Sequence, residues 1–172
     1  STIAKEIESK TIDLLMSNPV SKKQIIFEKY LGFIPMILII NLGTFLTVIG
    51  ITTAINEELN FANAALTHLS SIPYFLAVIG IGLIVSVIIN EKMKASIVMI
   101  AIIVGMFIFE SLGNMIPDYE SMGLISLTHY YDPSETLING EVNITGLIVL
   151  SVIAVWAVIT AMIYFEHKDI TI

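Results

Sequence analysis

Four long apolar runs dominate the chain, at 31–54, 72–89, 95–116 and 144–165. At helical rise they extend roughly 27–36 Å, against about 30 Å for the hydrocarbon core of a bilayer. In lipid a segment must satisfy its own backbone polar groups, so each run is predicted to be a transmembrane helix. Pro35 and Pro73 fall near the starts of their runs, where a missing N–H is cheap. Tyr30, Phe33, Tyr74, Tyr164 and Phe165 flank the runs at interfacial depth. Between the runs lie two polar stretches, 55–71 and 117–143, and a tight turn at 90–94. Gly113, Asn114 and Pro117 break the third run. The apolar stretch 122–127 is too short to cross and predicts a re-entrant or interfacial piece before the last span. Asp132-Pro133 and Asn139-Gly140 read as turns.

The pattern before the first run is different. Over 3–16, Ile3, Ala4, Ile7, Thr11, Leu14 and Leu15 share one helical face, while Lys5, Glu6, Glu8, Ser9, Lys10 and Asp13 cover the rest. Ile12 and Met16 project from the polar side. Pro19 ends this amphipathic helix near Asn18. Ser21 then predicts an N-cap, with Gln24 completing a capping box, for a helix over 22–31 that continues into the first span. An interfacial anchor is one reading of such a segment. The outward Ile12 and Met16 favour a surface covered by a partner.

Composition agrees with lipid burial. The 172 residues are 56% hydrophobic and 13% charged, with a mean hydropathy of +0.89. Charge sets the orientation. The chain has eight lysines and no arginine. Lys5, Lys10, Lys22, Lys23 and Lys29 precede the first run, Lys92 and Lys94 lie between the second and third, and Lys168 follows the fourth. The stretches 55–71 and 117–143 hold seven carboxylates and no lysine. Cationic loops stay in the cytoplasm. The N-terminal segment, the 90–94 turn and the C-terminus are therefore predicted cytoplasmic, in a multi-pass cell-membrane protein. Lys92, Lys94 and Lys168 are expected to do little beyond retaining their loops.

Candidate chemistry is sparse. With no cysteine, disulfides, thiolate metal sites and cysteine catalysis are excluded. No basic patch points to nucleic acid, and no phosphate-binding glycine loop ending in Gly-Lys-Ser/Thr is present. Glu110 is the carboxylate well inside a span, which marks a pathway or proton-linked role by default. Its nearness to the Gly113–Pro117 break leaves placement among the outer headgroups as the alternative. Asn41, Thr44 and Thr47 share a stripe that could line a path, with interhelical hydrogen bonding the favoured reading. Ala101 with Gly105, and Ala157 with Ala161, are small-residue pairs expected to pack within the subunit. His68, His129, Asp118, Glu120, Asp132 and Glu57 lack metal-ligand spacing. Glu57-Glu58 has no arginine partner for an intramembrane protease.

The segment Glu6, Glu8, Thr11, Ile12, Asp13, Leu14, Leu15, Met16, Pro19, Val20, Ser21 and Lys22, followed by Lys29, Tyr30 and Leu31, resembles the cytoplasmic segment of ABC-2 type transporter permeases. His129 to Pro133, Gly140, and Phe165 with Lys168 and Asp169 resemble that family's closing pattern. Lys10, Lys22 and Glu28 stand where the family usually has glycine, arginine and glycine; Lys22 keeps the charge without the bidentate fork. The family normally has six spans, and the charged opening at Ser1 leads us to expect a preceding part with two more.

The four apolar runs and the segment before them predict an all-α membrane protein with four transmembrane helices after a cytoplasmic amphipathic helix–Pro–helix segment. Residues 1–30 are the coupling segment, 31–165 the transmembrane domain and 166–172 a cytoplasmic tail. The resemblance implies a permease subunit of an ATP-driven transporter, an exporter, and not itself an enzyme. The expected partners are a cytoplasmic ABC ATPase that uses ATP and Mg, a second permease copy or paralogue, and the lipid bilayer; no cofactor is expected on this chain. Glu8, Thr11, Ile12, Asp13, Leu14, Leu15, Met16, Pro19, Ser21 and Lys22 are the implied ATPase-coupling residues, and Glu110, Asn41 and Thr44 the candidate pathway. A non-transporting anchor subunit, or a secondary carrier or channel, is the alternative.

Overall fold

A computed structural model describes residues 3–9 and 21–168, with the side chain of Glu120 left aside. All regular structure among them is helical. The order is α1 (Ile3–Glu8), α2 (Lys22–Ala54), α3 (Phe61–Ile88), α4 (Lys92–Met115), a 3-10 turn (Pro117–Tyr119), α5 (Glu120–Gly123), a second 3-10 turn (Leu127–Tyr130), α6 (Pro133–Asn139) and α7 (Ile144–His167). Helices α2, α3, α4 and α7 are long and apolar enough to cross a membrane.

The polar and apolar pattern located these four helices, but their ends differ from it. Ser21 caps α2: its Oγ accepts from Gln24 N at 3.1 Å. The Gln24 side chain does not complete the box; it donates to Glu28 Oε1 at 2.7 Å. As expected, α2 runs unbroken from this cap through the first apolar run, which places Pro35 inside the helix rather than near its start. Pro73 is likewise interior, because α3 begins at Phe61, capped by Asn60. Each proline removes one helical donor, a loss that neighbouring helices and side chains can make good in a membrane bundle.

The stretch read as a loop over 55–71 is therefore mostly helix. Its polar side chains bond back along α3: Thr67 Oγ1 donates to Asn63 O at 2.8 Å, and Ser71 Oγ lies 2.6 Å from His68 O. Asp132 and Gly140, read as two separate turns, are the two ends of α6. Asp132 Oδ1 accepts from Ser134 N and Glu135 N, both at 3.0 Å, and Gly140 adopts φ +74° just past the helix.

Helices α3 and α7 form the centre. Lipid tails are as apolar as leucine, so what joins helices there is close contact rather than escape from water. Ala154, Ala157 and Ala161 are buried on α7, opposite Gly80 of α3. A methyl at Gly80 would lie 2.9 Å from Ala157 Cβ and 3.3 Å from Ala154 O, so glycine is what permits this crossing. The pair Ala157/Ala161 thus packs within the subunit. Ala101 is exposed, and Gly105 has open space around it. Helices α2 and α4 leave most of their apolar surface uncovered by the chain, including Ile39, Leu42, Leu46, Ile100 and Phe107.

The piece at 120–130 does not cross. It folds back on the end of α4, burying Leu127 and Ser126 while Leu124 and Ile125 stay exposed. An apolar cleft of about 340 Å³ between α3 and α4 is lined by Val78, Gly82, Ser86, Met99 and Ile103.

Candidate functional site

All lysines among the described residues gather at one end of the bundle, where α1 docks. The fully buried Ile3 packs in a cluster with Ile25, Ile26, Leu83, Val87, Ala161 and Phe165, and Ile7 joins its edge. The apolar face of α1 therefore rests on protein. Polar bonds fix its position. Ala4 N donates to Ser86 Oγ of α3 at 2.9 Å. Glu6 Oε1 meets Lys29 Nζ of α2 at 2.5 Å, with both side chains largely buried. Glu8 Oε2 accepts from Lys92 N at 2.9 Å, where it caps α4. Glu91, at the N-cap position of α4, makes no such bond with its own side chain. A carboxylate at a helix N-terminus satisfies an orphan N–H and meets the positive end of the helix dipole.

The opposite helix ends are capped by cations. The Lys168 ammonium donates to Val87 O and Asn90 Oδ1, and lies 3.5 Å from Ile88 O, at the C-terminus of α3. Lys22 Nζ in turn donates to Lys168 O at 2.8 Å and Glu166 O at 3.5 Å, at the C-terminus of α7. Burial pushes the Lys168 amine below its ordinary value. Lys23 pairs with Glu166 at 2.7 Å on an exposed edge. Lys168 thus does more than hold its tail on one side, which corrects the expectation from sequence. The last turn of α3 meets α1 through Ser86, and meets α2 and α7 through Lys168 and Lys22.

Of the implied coupling residues, Glu8 and Lys22 lie in this network, and Ser21 caps α2 beside it. Thr11, Ile12, Asp13, Leu14, Leu15, Met16 and Pro19 lie outside the described residues. Sequence reasoning passed over Ser86, Lys29 and Lys168 as contributors. Lys29 and Lys168 appeared there only in the resembling motifs and the charge pattern, and Ser86 left the signal of a lone hydroxyl close to the end of an apolar run.

The candidate pathway residues engage different neighbours. Asn41 joins α2 to α3, with its Oδ1 accepting from Ser71 Oγ at 2.8 Å. Thr44 Oγ1 bonds within α2, to Ile40 O and Asn41 O at 2.9 Å. Glu110 faces the returning piece at the other end of the bundle. Its Oε2 is buried without a hydrogen-bond partner among the described residues and lies 3.4 Å from His129 Nδ1. Its Oε1 accepts from Asn114 Nδ2 at 3.3 Å. A methyl at Gly123 would stand 3.0 Å from Glu110 Oε2, so the loop approaches this carboxylate closely. Among the described residues no three of His, Asp and Glu converge as metal ligands.

The model of one protein family, described as ABC-2 family transporter protein, matches residues 1–170. No curated protein and no solved structure matches the chain. The match spans the docked α1, the four long helices and the segment between the last two, and it accords with the resemblance carried by Glu6 to Lys22. The chain is a multi-pass membrane protein of the ABC-2 transporter permease family.

Proposed function

We propose that this permease is the membrane subunit of an ATP-driven exporter, and that the lysine-rich end faces the cytoplasm and receives the push of a separate ABC ATPase. The observation that carries this reading is the docking of α1. The start of the segment that resembles the coupling element is bonded to α2, α3 and α4 rather than floating on lipid. A segment built to take up a displacement must be joined stiffly to the helices that move. The one-sided lysines support the cytoplasmic assignment of that end.

Ile12 and Met16 enter the cleft of the ATPase, and the charges near them orient the contact at its rim. ATP and Mg belong to that partner. Two permeases, identical or paralogous, pair with two ATPases. The test is affinity purification of the full-length subunit from its native membrane. We expect an ABC ATPase to co-purify, and the pair Ile12→Asp and Met16→Asp to abolish that association while membrane insertion is retained. Undiminished co-purification of the double variant would refute the assignment.

A further inference from the structure

Helix α3 touches α1, α7, α6 and the Lys168 cap. At one end Ser86 holds α1, and the carbonyls of Val87 and Ile88 are capped by Lys168. Roughly 9 Å along the helix, Gly80 presses on Ala157 of α7, a contact with no room for another methyl. Roughly 25 Å beyond that, at the far end, Asn63 Nδ2 donates to Leu137 O at 3.2 Å and Ile138 O at 3.4 Å of α6. The long arm contains Pro73, a weak point for bending, and it is braced on both sides of that residue. Ser71 is bonded to Asn41, and Tyr74 stacks on Tyr131 with ring centroids 5.5 Å apart. The Tyr131 hydroxyl also donates to Thr67 O at 3.1 Å.

We propose that α3 is a lever that carries the displacement of α1 to the far end of the bundle, with Ser86 and Lys168 as input positioning residues, the Gly80–Ala157 contact as fulcrum and Asn63 as output. This rests on the coupling reading above. The unequal arms turn a small shift at Ser86 into one about threefold larger at Asn63. The short arm is tied to α1 and to the ends of α2 and α7, and the long arm to the 127–140 segment. The lever therefore links a push at the lysine-rich end to the loops at the other end without any change inside α3.

These 172 residues contain no cysteine, so labels can be placed singly in them within a complex whose other cysteines have been replaced. Spin labels at Lys5→Cys and Trp156→Cys report the input; labels at Phe61→Cys and Trp156→Cys report the output. Trp156 adjoins the fulcrum, and its side chain is exposed. On trapping with ATP and vanadate both distances should change in the otherwise unaltered complex. In the S86A/K168M variant the input change should persist and the output change should fall at least about threefold, the lever ratio. Lys168→Arg should restore it. A full output change in the double variant would overturn the lever. A second variant, Asn63→Leu, should leave the Phe61 change intact and remove that of a label at Ile138→Cys; retention of the Ile138 change would also overturn it. If trapping moves no input label in the unaltered complex, the coupling reading falls as well. If the input moves and the output does not, the lever alone falls.

Discussion

Replacing Gly80 by alanine tests the central helix crossing, with Gly82 as an internal control. At Gly80 the new Cβ meets Ala157 Cβ at 2.9 Å and Ala154 O at 3.3 Å. Carbon atoms rest comfortably about 3.5–4.0 Å apart, so α3 and α7 must separate by roughly 0.6–1 Å. These atoms are backbone and a short methyl, neither of which can swing aside. Overpacking of this kind costs about 1–3 kcal/mol. At Gly82 the nearest atom is the flexible Met99 Cε at 3.9 Å, an ordinary contact. Both substitutions gain the same helix-propensity term, up to about 1 kcal/mol. That term and the effect of the solubilising medium cancel in the comparison. Gly82→Ala should be neutral or stabilising, and Gly80→Ala less stable than it by about 1–3 kcal/mol. Steric trapping or reversible unfolding in bicelles measures the difference. If Gly80→Ala were as stable as Gly82→Ala, the claimed contact between α3 and α7 would be wrong.

Three further outcomes follow. Ser71→Ala removes the bond to Asn41 and should lower stability by about 0.6 kcal/mol, and by no more than about 2, in the same unfolding assay; a larger loss would mean that Asn41 serves more than helix pairing. His129→Ala or Gly123→Ala should raise hydrogen exchange over 120–130, because each disturbs the approach of that piece to Glu110; unchanged exchange would show that Glu110 does not hold it. A membrane-impermeant thiol reagent should label Glu58→Cys in intact cells and spare Lys94→Cys; the reverse pattern would invert the orientation.

The four long helices were legible because lipid demands long uninterrupted apolar runs, a requirement written locally in the chain. The Ser21 cap was legible for the same reason, since its partner lies three residues away. The helical start of α3 was not. Thr67, His68, Ser70 and Ser71 look like loop residues by polarity, and only the structure shows them bonded to carbonyls of their own helix. Pro35 and Pro73 misled similarly: read as starts of runs, they lie inside helices that begin in polar sequence. The two ends of α6 were each visible, but the seven residues between them carried too little pattern to join them.

The candidate site was legible in its segment and not in its bonds. The amphipathic pattern marked Ile3, Ala4 and Ile7 as a buried face, and the fold buries Ile3 and Ala4 fully. Ser86 meeting Ala4, and Lys168 meeting Val87, join residues about eighty positions apart. Such pairs depend on how α3 and α7 cross, which no local pattern encodes. Lys168 looked like a topology signal and acts as a helix cap as well.

The segment after α1 is the proposed place where an ATPase engages this permease. The most direct measurement is site-specific photo-crosslinking from Ile12 and Met16 in native membranes, followed by identification of the adduct. A protein adduct containing an ABC ATPase is expected from both positions. Adducts with lipid alone, or with no ATPase at either position, would contradict it.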